Sequence, residues 1–181
     1  NVVLDFVATY PDRAKSIGFI DVGYLDLQMR PDSTWQTISR DLKPPPLAGM
    51  PVSDMAARMR QAHPDWSDTG IDGTMANFEV RSDGTIQPCL SLEHHMLILR
   101  ALWEQRPATL YPKVRVPVYI AVAEDPRNPS WMALKQKQVA AAEASLSSVH
   151  VERFPSTDHD IHVQRPEQLA HSLMTQLTDG V

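Results

Sequence analysis

The chain has 181 residues, 43% hydrophobic and 22% charged, with a net charge of -5. That balance is one a globular domain uses, and the negative charge offers no electrostatic attraction to nucleic acid or to an anionic membrane as partner. No apolar run reaches the ~18–20 residues of a membrane span, and the single cysteine, Cys89, excludes an internal disulfide framework and fits a reducing, cytoplasmic compartment.

Asn1–Tyr10 (NVVLDFVATY) is apolar on almost every face, which predicts a buried helix leaving through Pro11-Asp-Arg. Tyr10 is expected to be buried with it. Ser16–Gly23 (SIGFIDVG) is continuous rather than alternating, the pattern of a short strand in a parallel sheet. About ninety residues without sheet character follow. Asp32-Ser33 offers a cap for a helix over 34–42, Ser53 one for 54–62, and Ser91 one for 92–105. Between them, segments 77–81 and 85–88 flank Ser82-Asp-Gly84, a hairpin turn signal. The α/β rhythm then resumes with strand 116–123, helix 129–146, strand 149–154 and a terminal helix over 166–177 opened by a proline. The order predicts an α/β fold of three parallel strands with flanking helices, interrupted by a mainly helical insertion. The expected division is core at 1–29, insertion at 30–107 and core at 108–181.

The two late strands carry the chemistry. The first ends on Glu124-Asp125; the second runs into Ser156-Thr-Asp-His159-Asp-Ile-His162. A carboxylate and a histidine at the C-terminal ends of consecutive parallel strands are placed to form the acid–base half of a catalytic triad. His159 is the expected general base, because imidazole exchanges protons near neutrality. Asp125 is the expected orienting acid, with the adjacent Glu124 as a rival. His162, three residues on, is expected to line the entry. Asp158, His159, Asp160 and His162 have a spacing that a metal could use, but no second ligand cluster stands out, so no metal is expected. A Gly-x-Ser-x-Gly nucleophile motif does not occur.

These pieces resemble the α/β-hydrolase superfamily. Asn1–Gly23 is similar to the helix and sixth strand that follow that family's nucleophile elbow. His159-Asp-Ile-His-Val-Gln-Arg-Pro-Glu resembles its pattern around the catalytic histidine, seven residues before a proline, with Gln164 in place of the usual Glu and Asp158 in place of the usual Gly. The resemblance implies an esterase-like serine hydrolase without a cofactor, its lid at 30–107, and makes Asp21 and Asp26, after the earlier strand, further rivals for the orienting acid, because some relatives place it there. An aspartate nucleophile (dehalogenase or epoxide hydrolase) and a non-catalytic binding module on the same fold are the alternatives. It also implies that residues 1–181 are the C-terminal part of the fold and require an N-terminal polypeptide carrying the nucleophile. The segment alone is then expected to be inactive and unstable as a soluble monomer. Lid candidates are Trp35, Met50, Met55, Met59, Trp66, Met75, Met96 and Trp103. Of these, Trp35, Trp66, Met96 and Trp103, together with His162, are the expected contacts to a substrate with an apolar acyl or alkyl group.

Overall fold

The computed structural model describes residues 1–178. Contacts divide the chain into two compact units, one of Asn1–Ser33 with Leu102 onward, the other of Thr34–Ala101. The expected insertion ends, at 30 and 107, fall inside the first unit.

In the first unit, strands β1 (Ile17–Ile20), β4 (Val118–Glu124) and β5 (Val149–Pro155) form a parallel sheet in the order β1-β4-β5. The central strand explains the layout. Of its seven residues only Glu124 is not buried, because both faces of the sheet are covered, as parallel sheets require. Val118, Ile120 and Val122 point to one side and join Leu4 and Val7 of α1 (Val2–Thr9) and Val139 and Ala142 of α6 (Pro129–Ser145). Tyr119, Ala121 and Ala123 point to the other, where they meet Phe154, Ile161 and Leu169, the last two on α7 (Ile161–Gln164) and α8 (Pro166–Thr178). Period-two side-chain alternation thus splits one apolar run between two cores.

Helix α1 buries only part of its apolar circumference. Leu4 and Val7 are fully buried, whereas Val3 and Phe6 are more than 40% exposed and Val2 is 82% exposed. Tyr10 is 55% exposed, contrary to the burial expected of it. The largely apolar helix is therefore only partly covered among the described residues. On the same terms, β1 pairs only with β4, so its other edge carries no strand.

The second unit holds α2 (Trp35–Asp41), α3 (Val52–Ala62), α4 (Asp68–Met75), the hairpin β2 (Phe78–Val80) and β3 (Ile86–Pro88), and most of α5 (Leu92–Glu104). The cap of α2 is Thr34 rather than Asp32 or Ser33, because Thr34 and Thr37 exchange the two bonds of a capping box. Helix α3 starts at Val52, two residues before the span Ser53 was expected to cap. The hairpin turn forms at Ser82-Asp-Gly84 as the sequence predicts. Gly84 takes φ +79°, and Asp83 accepts bonds from the Thr85 amide and hydroxyl. Ser91 accepts the amide of His94 at the start of α5.

Candidate active site

Three segments converge at the C-terminal ends of the strands in the first unit. The chain leaves β1 at Asp21, which takes φ +53°. Aspartate tolerates this left-handed geometry better than most L-residues. The turn carries the Asp21 side chain over the end of β4, where Oδ1 accepts the amide of Ala123 at 2.9 Å. From there Oδ2 reaches Nδ1 of His159 at 2.9 Å. His159 lies on the loop between β5 and α7, and its side chain is 62% exposed while that of Asp21 is 2% exposed.

A carboxylate only accepts, so Nδ1 of His159 must donate, and the tautomer is fixed. That leaves the Nε2 lone pair of the neutral ring free to take a proton. The carboxylate is thus buried while the ring it meets is open to an approaching group.

The Asp21 carboxylate is saturated with donors. Besides His159 and Ala123, it receives the Tyr24 hydroxyl at 2.7 Å on Oδ1. The Lys135 ammonium meets both oxygens, at 2.8 and 2.9 Å. Burial pushes the Asp21 carboxyl up, but the bonds from His159, Lys135 and Tyr24 outweigh it and hold the group below its ordinary range. The bond to Asp21 raises the pKa of His159 above the usual imidazole value, against the opposing effect of burial. Burial and then the Asp21 charge push the Tyr24 phenol up, so it stays a donor.

These directions set the pH dependence. The His159 contribution to stability is complete below the unfolded imidazole value (~6.5) and is lost as pH rises through its raised folded value. The Asp21 contribution is present above the ordinary carboxylate range and is lost as pH falls through its depressed one. An NMR titration of the intact protein is expected to place the His159 midpoint above that of a free imidazole. Asp21→Asn should bring it down, and an unchanged midpoint would show that the bond does not exist in solution.

The structure does not bring Asp125 to His159. Asp125 lies one residue beyond β4, where its carboxylate accepts the amide of Arg127 at 3.0 Å and pairs with the guanidinium at 2.8 Å. Those bonds to Arg127 hold its pKa low. The carboxylate on His159 is Asp21. Another rival, Asp26, caps a short turn through Gln28 and pairs with Arg106 at 2.7 Å. In sequence the signal was Asp21 itself, a charge ending an otherwise apolar strand.

The histidine loop is tied by Gln164, whose Oε1 accepts the amide of Asp158 at 2.8 Å. This loop-closing bond needs only an acceptor, which glutamine supplies as well as glutamate. His162 is exposed on α7. The Trp103 indole donates to the Ser33 hydroxyl at 3.3 Å within the first unit. In the second unit, Trp66 is buried and stacked on His63 at 3.8 Å between ring centroids. Trp35 lies under the Arg100 guanidinium at 4.9 Å, and Met96 is half-buried on α5.

No family model matches the sequence, and no curated protein matches it. Solved structures do match. An E-2-(acetamidomethylene)succinate hydrolase superposes with a TM-score of 0.66 at 18% identity, over 96% of this chain and 61% of its own. A peroxisomal α/β-hydrolase of Saccharomyces cerevisiae gives 0.67 at 12%, over 97% and 50%. The chain has an α/β-hydrolase fold. A thermophilic esterase of Thermogutta terrifontis shares this α/β-hydrolase fold with a TM-score of 0.60 at 15% identity, over 99% of this chain and 61% of its own. The chain thus spans between half and about three fifths of the length of these proteins. No helix among the described residues is long and apolar enough to cross a membrane.

Proposed function

We propose that the chain carries the acid–base half of a hydrolase site, with His159 as general base and acid and Asp21 as its orienting carboxylate. The observation that carries this reading is the 2.9 Å bond between a buried Asp21 and an open His159 at the sheet's C-terminal end. The reaction is hydrolysis of an ester with an apolar acyl or alkyl group. A serine hydroxyl attacks the carbonyl while Nε2 of His159 takes its proton. The imidazolium, held by Asp21, returns the proton to the leaving alkoxide, and water then repeats the sequence to release the acid. The serine belongs to a polypeptide segment outside these 181 residues, in keeping with their share of the length of their structural neighbours. The open edge of β1 and the exposed side of α1 offer that segment a surface to pair with and to cover.

Trp103 and His162, both in the first unit, remain the candidates for substrate contact.

The test is labelling of the intact protein by a fluorophosphonate, which reacts only with an activated serine. Labelling is expected for the unmodified protein and its loss for His159→Ala. Undiminished labelling of the variant would remove His159 from the role.

A further inference from the structure

Helix α6 presents an anomalous buried stripe. Met132, Val139 and Ala142 are apolar, yet Lys135 and Gln138 lie in the same stripe and are each only 3% exposed. Both reach the segment that follows β1. Gln138 accepts the amide of Asp26 at 3.2 Å and donates to the Asp26 carbonyl at 2.9 Å. Lys135 donates to both Asp21 oxygens and to the Ala123 carbonyl at 2.8 Å. Three donors thus meet three acceptors, the condition under which a buried ammonium is tolerated.

We propose that Lys135 is a positioning residue for the Asp21–His159 pair, locking the carboxylate in the orientation that meets Nδ1 and moderating the negative charge that the imidazole faces. The inference rests on reading that pair as the acid–base element. Its physical basis is geometric and electrostatic. Tyr24 and Ala123 hold Oδ1 and His159 meets Oδ2, and Lys135 adds a donor that bridges the two oxygens and opposes rotation about the terminal torsion. A cation on the far side of the carboxylate also offsets part of the attraction that favours the imidazolium. The charged and titratable groups around the pair are Tyr24 on the same segment, Lys135 on α6 and Asp160 beside His159. Asp160 favours the imidazolium and Lys135 opposes it.

The test begins with the unmodified intact protein. Nitrogen-edited NMR of lysine side chains is expected to show one ammonium group protected from solvent exchange, its shift following the titration of His159. Absence of such a signal, or its indifference to that titration, would overturn the proposal. In Lys135→Gln the His159 midpoint is expected to rise and kcat for a chromogenic short-chain ester to fall about 10–100-fold with KM unchanged. Lys135→Arg, which keeps the cation, should return the midpoint toward the unmodified value. A lowered melting temperature with an unmoved midpoint in Lys135→Gln would mean that Lys135 serves only packing. Absence of ester hydrolysis in the unmodified protein would refute the proposed activity while leaving the midpoint test intact.

Discussion

Asp21→Asn is expected to reduce kcat for ester hydrolysis by the intact protein about 10⁴-fold, while Asp125→Asn leaves it within a few-fold of the unmodified value. The first figure follows from the tautomer. An asparagine amide can present its N–H to Nδ1, which moves the ring proton to Nε2 and removes the lone pair that accepts the nucleophile's proton. The imidazolium formed in the transition state also loses its counter-charge. Asp125, by contrast, caps an exposed turn and pairs with Arg127, so its replacement by an isosteric amide belongs with surface changes of about ±0.5 kcal/mol. Asp21→Asn has a second consequence, because it leaves the Lys135 ammonium buried without its carboxylate. Breaking a buried ion pair from one side costs about 3–5 kcal/mol. Rates must therefore be normalised to folded protein, by thermal melts and circular dichroism. A large kcat loss in Asp125→Asn, with Asp21→Asn near normal, would reverse the assignment.

That Asp125 is the first choice from sequence, while the structure brings Asp21 to His159, is a matter of how the strands end. In the order β1-β4-β5, the loop after β4 is nearer to the histidine loop than the segment after β1. Proximity of consecutive strands therefore argued for Asp125. Asp21 overcomes the extra strand because its left-handed backbone sends the carboxylate over the end of β4, where the Ala123 amide receives it. A one-residue conformation of that kind leaves little trace in composition or periodicity.

The strands and the helices with apolar stripes were legible for the opposite reason, since burial writes a repeat into many residues at once. Helix α4 was not legible. Its sequence, Asp-Thr-Gly-Ile-Asp-Gly-Thr-Met, contains two glycines, and only Ile71 is buried in it. Ser67, accepting the Gly70 amide at 3.0 Å, starts it. Lys135 and Gln138 were likewise hidden. Within Lys-Gln-Lys-Gln they read as solvated residues, and their burial depends on acceptors more than one hundred positions away in the chain. His159 stood out because its loop carries a pattern, whereas the choice of Asp21 among the candidate carboxylates, and the clamp behind it, are defined only by folding.

The second large effect is expected at Gly23. This residue has φ +83°, and a Cβ built on it would lie inside the van der Waals envelope of the Phe19 ring, which is itself fully buried. Gly23→Ala therefore combines two penalties. Holding an L-residue in the left-handed region costs about 1–2 kcal/mol, and forcing a methyl into a packed core costs about 1–3 kcal/mol. The sum, about 2–5 kcal/mol, corresponds to a fall in melting temperature on the order of 10 °C for a protein of this size class. Gly49 supplies the control. It has nearly the same φ, +85°, but no atom lies within 4 Å of its would-be Cβ, so Gly49→Ala should carry only the backbone penalty. Gly23 is also two residues from Asp21, and its amide donates to the Asn1 side chain at 2.8 Å. Displacing it is expected to shift the acid away from His159, so kcat per folded molecule should fall in Gly23→Ala and hold in Gly49→Ala. Equal melting temperatures for the two variants would show that the segment after β1 relaxes freely, which is incompatible with its task of fixing a carboxylate.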